Sequence, residues 1–323
     1  MRPNFRPRGL RTAQLTIAAT ALALPASAFA FAGTTAPDSA ARAALPIRVS
    51  PAQVQVGQAI TISGAALRAQ AGERVTLQGR VGGTSDWRSL QSATVGALGR
   101  FSFTAHLRHS GLVRVVAPAT LRSQRTSAAP IVTAGNADAK PVTVAAQVSA
   151  RPTDRAVLAG GRVAVAGRVL PVAGAREVQL QGHAGNRWQT LASARTGPSG
   201  RFSIGSRAQS GTNRLLRVRF AGDAANAGAS VSVGTMTVYQ PAIASWYYDA
   251  GLATGCGFNA RYGVANTSLP CGTKVQFRYG GRTVMATVDD RGPYVSGRTW
   301  DLGQSTAGAL GFQGVGTVWA SIR

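Results

Sequence analysis

The feature that most limits what this chain can fold into is a repeat. GQAITISG at 57–64 returns as GGRVAVAG at 160–167, and VTLQG at 75–79 as VQLQG at 178–182. WRSLQSA at 87–93 returns as WQTLASA at 188–194, and GRFSF at 99–103 as GRFSI at 200–204. The features keep their order across an offset of about a hundred residues, as a duplicated structural unit requires. Within each copy apolar residues alternate, as in Ile60-Thr-Ile62 and Val163-Ala-Val165, and glycine or proline interrupts the runs. Period-two alternation between such breaks is the pattern of short, half-buried strands, so each copy reads as a β-sandwich. Alternation outnumbers helical periodicity throughout, and the fold class is mainly β. Trp87, Trp188, Phe101 and Phe202 are expected to plug the cores between paired sheets.

The first unit is assigned to residues 46–121 and the second to 144–240, with the Ser-, Ala- and Pro-rich stretch 122–143 between them as a linker. Both units resemble bacterial Ig-like modules, which space or anchor another domain. Neither contains cysteine, which excludes an inter-sheet disulfide. Residues 1–32 pair a basic start (Arg2, Arg6, Arg8, Arg11) with an apolar run from Ala13 to Ala32 and small-residue steps such as Ala26-Ser-Ala28. That is the pattern of a cleaved export signal, the alternative being a retained anchor, against which Pro25 and the Ala-rich run argue. No second apolar stretch of spanning length follows, so the mature protein is expected to be secreted, without a transmembrane segment. No cysteine lies near the cleavage region, and lipid attachment is not expected.

The formal charge of +24 is unevenly placed. Ile47–Gln240 holds 23 Lys and Arg against 6 acidic residues, and Pro241–Arg323 holds 7 against 4. In an exported protein this charge points to anionic wall polymers or phospholipid headgroups rather than nucleic acid, while arginine-rich composition and solubility account for it equally well.

After Pro241 the chain changes character. ASWY at 244–247 opens the segment, followed by TGCG at 254–257 and GVANTSLPCGTKV at 263–275. YGGRTV at 279–284, VDDRGPY at 288–294 and GRTWDL at 297–302 complete the series. In this order the motifs resemble the rare lipoprotein A family, and the likeness spans 241–323. The resemblance implies a six-stranded double-psi β-barrel with a groove for a glycan, acting on peptidoglycan strands. Independently, KVQFRY and RTVMATV alternate around Gly280-Gly281 as a hairpin, TVWASI reads as a closing strand, and Gln304–Leu310, stopped by Gly311, as a short helix.

Cys256 and Cys271 are the only cysteines. In an exported chain a disulfide between them is the economical reading, with a reactive thiol as the alternative. The segment has no histidine and no glutamate, which removes the usual metal sites and His-dependent triads, and no cofactor is expected. Four aspartates remain: Asp249, Asp289, Asp290 and Asp301. Enzymes resembling this family cleave the bond between N-acetylmuramic acid and N-acetylglucosamine without water, leaving a 1,6-anhydro product. One carboxyl can serve as acid and then base in such a reaction. Asp290 aligns with the family's aspartate in Asp-Arg-Gly-Pro and is the catalytic candidate. Asp289 is expected on the opposite face of the strand, and Asp301 to be structural or to cap the short helix. Asn266, Arg291, Tyr294 and Tyr247 are candidate glycan contacts, with an ion pair as the other use of Arg291. Trp246 and Tyr248 could join Tyr247 and Tyr294 in an aromatic platform, core packing being the other reading. Two positions depart from the family pattern: Phe258 stands at its acidic or amide position and Asn266 at its histidine. They favour the alternative of a non-catalytic, peptidoglycan-binding or expansin-like wall-loosening protein. Enzyme and binder therefore both stand at this point.

Overall fold

The computed structural model describes residues 43–66, 71–117, 139–211, 213–249 and 253–323. The expected export signal and most of the expected linker lie outside them. The first unit comprises β1 (Ala43–Leu45), β2 (Ile47–Ser50), β3 (Gln53–Gln55), β4 (Ala59–Ala65), β5 (Arg74–Val81), β6 (Arg88–Thr94), β7 (Arg100–His106), β8 (Gly111–Ala117) and β9 (Lys140–Ala145). β2, β4 and β7 form one sheet. In the other, β6, β5, β8, β9 and β3 follow in order, β9 antiparallel to β8 and parallel to β3. The second unit comprises β10 (Gln147–Pro152), β11 (Ala156–Leu158), β12 (Arg162–Leu170), β13 (Glu177–Ala184), β14 (Arg187–Arg195), β15 (Arg201–Arg207), β16 (Arg214–Gly222) and the first part of β17 (Ala227–Tyr247). It repeats the arrangement, with β10-β12-β15 against β14-β13-β16-β17-β11. Two packed, mainly antiparallel sheets with this order are Ig-like sandwiches. The alternation read from sequence closes each core: Ile60, Ile62, Phe101 and Phe103 face Val75, Leu77, Val113 and Val115 in the first, and Val163, Val165, Phe202 and Ile204 face Val178, Leu180, Leu216 and Val218 in the second.

Two expectations need correction. Residues Lys140–Ala145, which the sequence divides between linker and second module, complete the first sandwich, because Val142 and Val144 enter its core. Trp87 and Trp188 are not core residues. Each stacks, half-buried, on an arginine of the five-stranded sheet's outer face, with Arg114 Cζ 4.1 Å from the Trp87 ring and Arg217 Cζ 4.1 Å from the Trp188 ring. Arg114 Nε donates to Gln78 Oε1 and Arg217 Nε to Gln181 Oε1, both at 2.9 Å. Those glutamines sit one residue beyond core-facing Leu77 and Leu180, and so on the opposite face. Cation–π stacking under a charge already fixed by a hydrogen bond holds the indoles there.

The remaining strands are β18 (Gly263–Ala265), β19 (Lys274–Tyr279), β20 (Arg282–Asp290), β21 (Trp300–Gly303) and β22 (Gly316–Ile322), with α1 at Gln304–Leu310. β17 pairs with β21, β21 with β18, β18 with β20, β20 with β19, β19 with β22 and β22 with β17, which closes a six-stranded ring. The pairs β17–β21 and β18–β20 are parallel and the rest antiparallel, so both parallel pairs are crossovers of the double-psi type. Val264, Val275, Phe277, Val288, Leu302 and Val318 fill the barrel. The helix ends at Gly311, whose φ of 68° is the left-handed cap conformation that glycine adopts freely. Among the described residues no helix is long and apolar enough to cross a membrane.

β17 does not stop at Gln240-Pro241. It pairs with β16 up to Met236 and with β22 from Gln240, so one backbone serves the second sandwich and then the barrel. Asn213 fastens the junction: Val238 N–H donates to its Oδ1 at 2.8 Å, and its Nδ2 donates to Ser321 Oγ at 3.0 Å and to the Ile322 carbonyl at 3.2 Å.

Candidate functional site

Register brings the aspartates together. Ala265 of β18 pairs with Asp290 on one side and with Asp301 on the other, and Asp301 in turn pairs with Ser245 of β17. Paired residues share a face, so Asp290, Asp301 and Ser245 form one polar row across four strands. The Asp290 and Asp301 backbones are two strand spacings apart, about 10 Å. A bulge between Val264 and Ala265 in the parallel pairing makes Asp289 the extra residue, and bulges of this kind re-aim side chains beside functional sites.

The two neighbouring aspartates consequently diverge. Asp289 is 2% exposed, and its carboxylate accepts from Ala260 N–H at 2.8 Å and Val264 N–H at 3.0 Å. Burial raises its pKa against the lowering effect of these bonds. Asp290 stays half-buried, and its Oδ1 accepts from Gly255 N–H at 2.7 Å and Arg291 N–H at 2.8 Å, which fixes the carboxylate without enclosing it. Asp301 is not the helix cap: that position is Gly303, with no side-chain capping bond. Its Oδ1 is buried and makes no well-formed hydrogen bond, as does the adjacent Ser245 Oγ. Burial raises the Asp301 pKa above the usual 3.8, with Ser245 and Arg298 opposing and the Asp290 charge adding to the rise.

Tyr247 lies on the Ser245 face of β17, two residues on. Its hydroxyl is buried beside Asp290 without a well-formed hydrogen bond. Burial first, then the charges of Asp290 and Asp289, hold the phenol far above its usual range, so it is a proton-bearing donor at every relevant pH. Asp249 comes two residues later. A Cβ at Gly303 would come within 2.2 Å of its Oδ2, so glycine there leaves this carboxylate its place against β21. Ser245, Tyr247, Asp301 and Asp290 thus converge, with Asp249 at the margin.

The other glycan candidates separate. Asn266 is 5% exposed and engaged: Nδ2 donates to the Thr299 carbonyl, and Oδ1 accepts from Ser268 N–H, Ser268 Oγ and Leu269 N–H. Its Oδ1 shapes a turn, and its burial leaves little of the side chain exposed. The bonds of the Arg291 guanidinium go to carbonyls and a sulfur rather than to a carboxylate. Its Nη1 donates to the carbonyls of Asn266 and Leu269, and its Nη2 to Cys271 Sγ. Cys271 is disulfide-bonded to Cys256 across a sequence separation of 15. Tyr294 is 83% exposed and Trp246 41%, so neither is core. By strand alternation Trp246 lies on the face opposite Tyr247, so the four aromatics do not make one platform. Phe258, 42% exposed, adds apolar surface where the family has a polar group. Sequence reasoning gave Asp301 a structural or capping place and no place to Ser245; the only local signal of their grouping is the Trp-Asp-Leu and Ala-Ser-Trp-Tyr strings. Among the described residues no three His, Cys, Asp or Glu side chains are grouped to hold a metal ion.

Residues 240–321 match the family model described as lytic transglycolase. The C-terminal domain is a lytic transglycolase-type double-psi β-barrel. The match begins at the residue where β17 exchanges β16 for β22, so the lytic transglycolase domain includes the second half of a strand begun in the sandwich. No curated protein matches the chain. Among solved structures, a chimeric titin Z1Z2 tandem carrying a fibronectin peptide is similar at 13% identity over 60% of this chain and 98% of its own, with a TM-score of 0.21. An I-band fragment of titin is similar at 8% identity over 87% and 86%, with a TM-score of 0.26. The lytic transglycolase barrel gives the chain a peptidoglycan-related function.

Proposed function

We propose that the barrel cleaves peptidoglycan glycan strands outside the cytoplasm by a non-hydrolytic, lytic-transglycosylase-type reaction. The observation that carries this reading is the pair of unlike carboxyls, Asp290 and Asp301, on one face across Ala265. A general acid must hold its proton at working pH, and burial shifts the Asp301 carboxyl in that direction. Asp301 therefore donates to the glycosidic oxygen as the C1–O bond breaks. The C6 hydroxyl of the same N-acetylmuramic acid closes on C1, and its proton passes to Asp290. No water is consumed, and a 1,6-anhydro end remains. Tyr247 donates a hydrogen bond to the ring being closed or to Asp290, and Tyr294 offers an exposed ring for a sugar face. Asp290, the single acid and base of the sequence reading, thus takes the base half alone. The export-type N-terminus supports the location.

Digests of purified sacculi with the full chain, analysed by mass spectrometry, test the proposal. Anhydro-muropeptides are expected from the wild type, with at least a hundredfold loss in both Asp290→Asn and Asp301→Asn, the size of acid–base catalysis. Equal product from either variant would remove that residue from the reaction, and no product from the wild type would end the proposal. In that case the second reading, a glycan binder without turnover, is favoured by the buried Asn266 and the apolar Phe258.

A further inference from the structure

The two sandwiches provide an internal control on the basic charge. In the second, β12 pairs with β10 and β15, and the outward residues of these strands are fixed by register. Arg162 stands directly opposite Arg207, and Arg168 opposite Arg201. Arg151 faces Ala166 from β10. All five arginines are exposed, and no acidic residue occurs on the three strands. Between them the floor is Ala164, Ala166, Ser203 and Gly205, with no aromatic ring. A Cβ at Gly205 would lie 2.6 Å from Arg162 Nε, so glycine there lets that side chain lie flat across the sheet.

The first sandwich repeats the strands with less charge: exposed Arg48 stands where the second has Arg151, and Arg100 where it has Arg201, but no two arginines face each other. The partners equivalent to Arg162 and Arg207 are Ala59 and His106, those of Arg168 and Arg201 are Ala65 and Arg100, and Thr104 replaces Gly205. Like charges directly opposite in a sheet destabilise it. A general arginine bias would load both copies, and solubility does not require facing pairs.

We propose that the β10-β12-β15 face of the second sandwich binds a linear phosphodiester polymer lacking bases, of the poly(glycerol phosphate) kind. Guanidinium forks match phosphate oxygens. The two arginine pairs are six residues apart along the strands, roughly 20 Å, a span that one polymer bridges and a free phosphate does not. The absence of aromatic residues leaves bases and sugar rings nothing to stack on. The site is independent of the barrel and of its chemistry.

The test grafts the first copy onto the second in the full chain: Arg162→Ala, Arg168→Ala and Arg207→His together. The control removes three exposed arginines elsewhere, Arg74→Ala, Arg108→Ala and Arg187→Ala. Binding to poly(glycerol phosphate) is measured by affinity electrophoresis at two salt concentrations, with unfolding midpoints taken in parallel. The graft is expected to bind at least tenfold more weakly, to lose salt dependence by roughly 0.7 in log–log slope per lost contact, and to keep or raise its unfolding midpoint. The control is expected to change binding less than twofold. Equal losses in graft and control would reduce the effect to net charge and overturn the proposal. So would an unchanged graft, or competition by inorganic phosphate at equal phosphate concentration. Equal affinity for polyglutamate of matched charge would overturn the phosphodiester assignment.

Discussion

Asp301 is held in a setting that favours its protonated form. Because burial raises its pKa, the folded barrel binds that proton more tightly than the unfolded chain does. Its stabilising contribution is complete below pH 3.8 and is lost as the pH rises through the raised value. Asp289 shifts in the same direction, so the two add. The barrel's urea midpoint is expected to fall from pH 3.8 toward neutrality, and Asp301→Asn to flatten part of that fall and raise the midpoint at pH 7 while ending cleavage. A wild-type midpoint that rises over this range would contradict the assignment. Asp290 could be found in the sequence because its motif is local and ordered among others. Asp301 could not, because its environment is made by Ser245 and Ala265, which reach it through strand pairing across 56 and 36 positions. Asn266 misled for the same reason: its residue type suits a sugar contact, but hydrogen bonds with Thr299 and Leu269 hold it in a buried turn.

The segment between Cys256 and β19, in which only the three residues of β18 join a ladder, shows how the rest of such a segment is held. The disulfide closes it, worth about 3 kcal/mol by loop entropy, and the Arg291 fork ties Asn266, Leu269 and Cys271 into one corner. Lysine is a point donor without that fork. Arg291→Lys is expected to lower barrel stability by about 1–3 kcal/mol, measured by urea unfolding, and to reduce activity without changing its pH profile. A shifted profile would instead give Arg291 a direct part in the chemistry. The hairpin, the closing strand and the helix stopped at Gly311 were all legible, since each is set by alternation or a glycine close by. Strand β9 and the tryptophans were not. Alternation tells that a residue is on one face of a strand, but not which sandwich the strand joins or what lies on the other face.

Across the whole molecule, three separate cores are linked in two different ways. The sandwiches meet where Ala145 of β9 pairs with Ala227 of β17, with only Ala146 between β9 and β10, and Asn226 Nδ2 adds bonds to the carbonyls of Arg108 and Val144. The second sandwich and the barrel share a backbone. Inserting Gly-Ser-Gly-Ser between Gln240 and Pro241 is expected to split one calorimetric transition of these two bodies into two, with the Asn213 bonds too few to hold them together. A single transition retained after insertion would show that side-chain contacts alone couple them. Strand β17 runs 21 residues, on the order of 70 Å if fully extended, and it carries Tyr247 at its far end. Under the two proposals together, tension on a sandwich held by a polymer is carried along the covalent backbone of β17 to Tyr247 and the Asp290 carboxylate beside it.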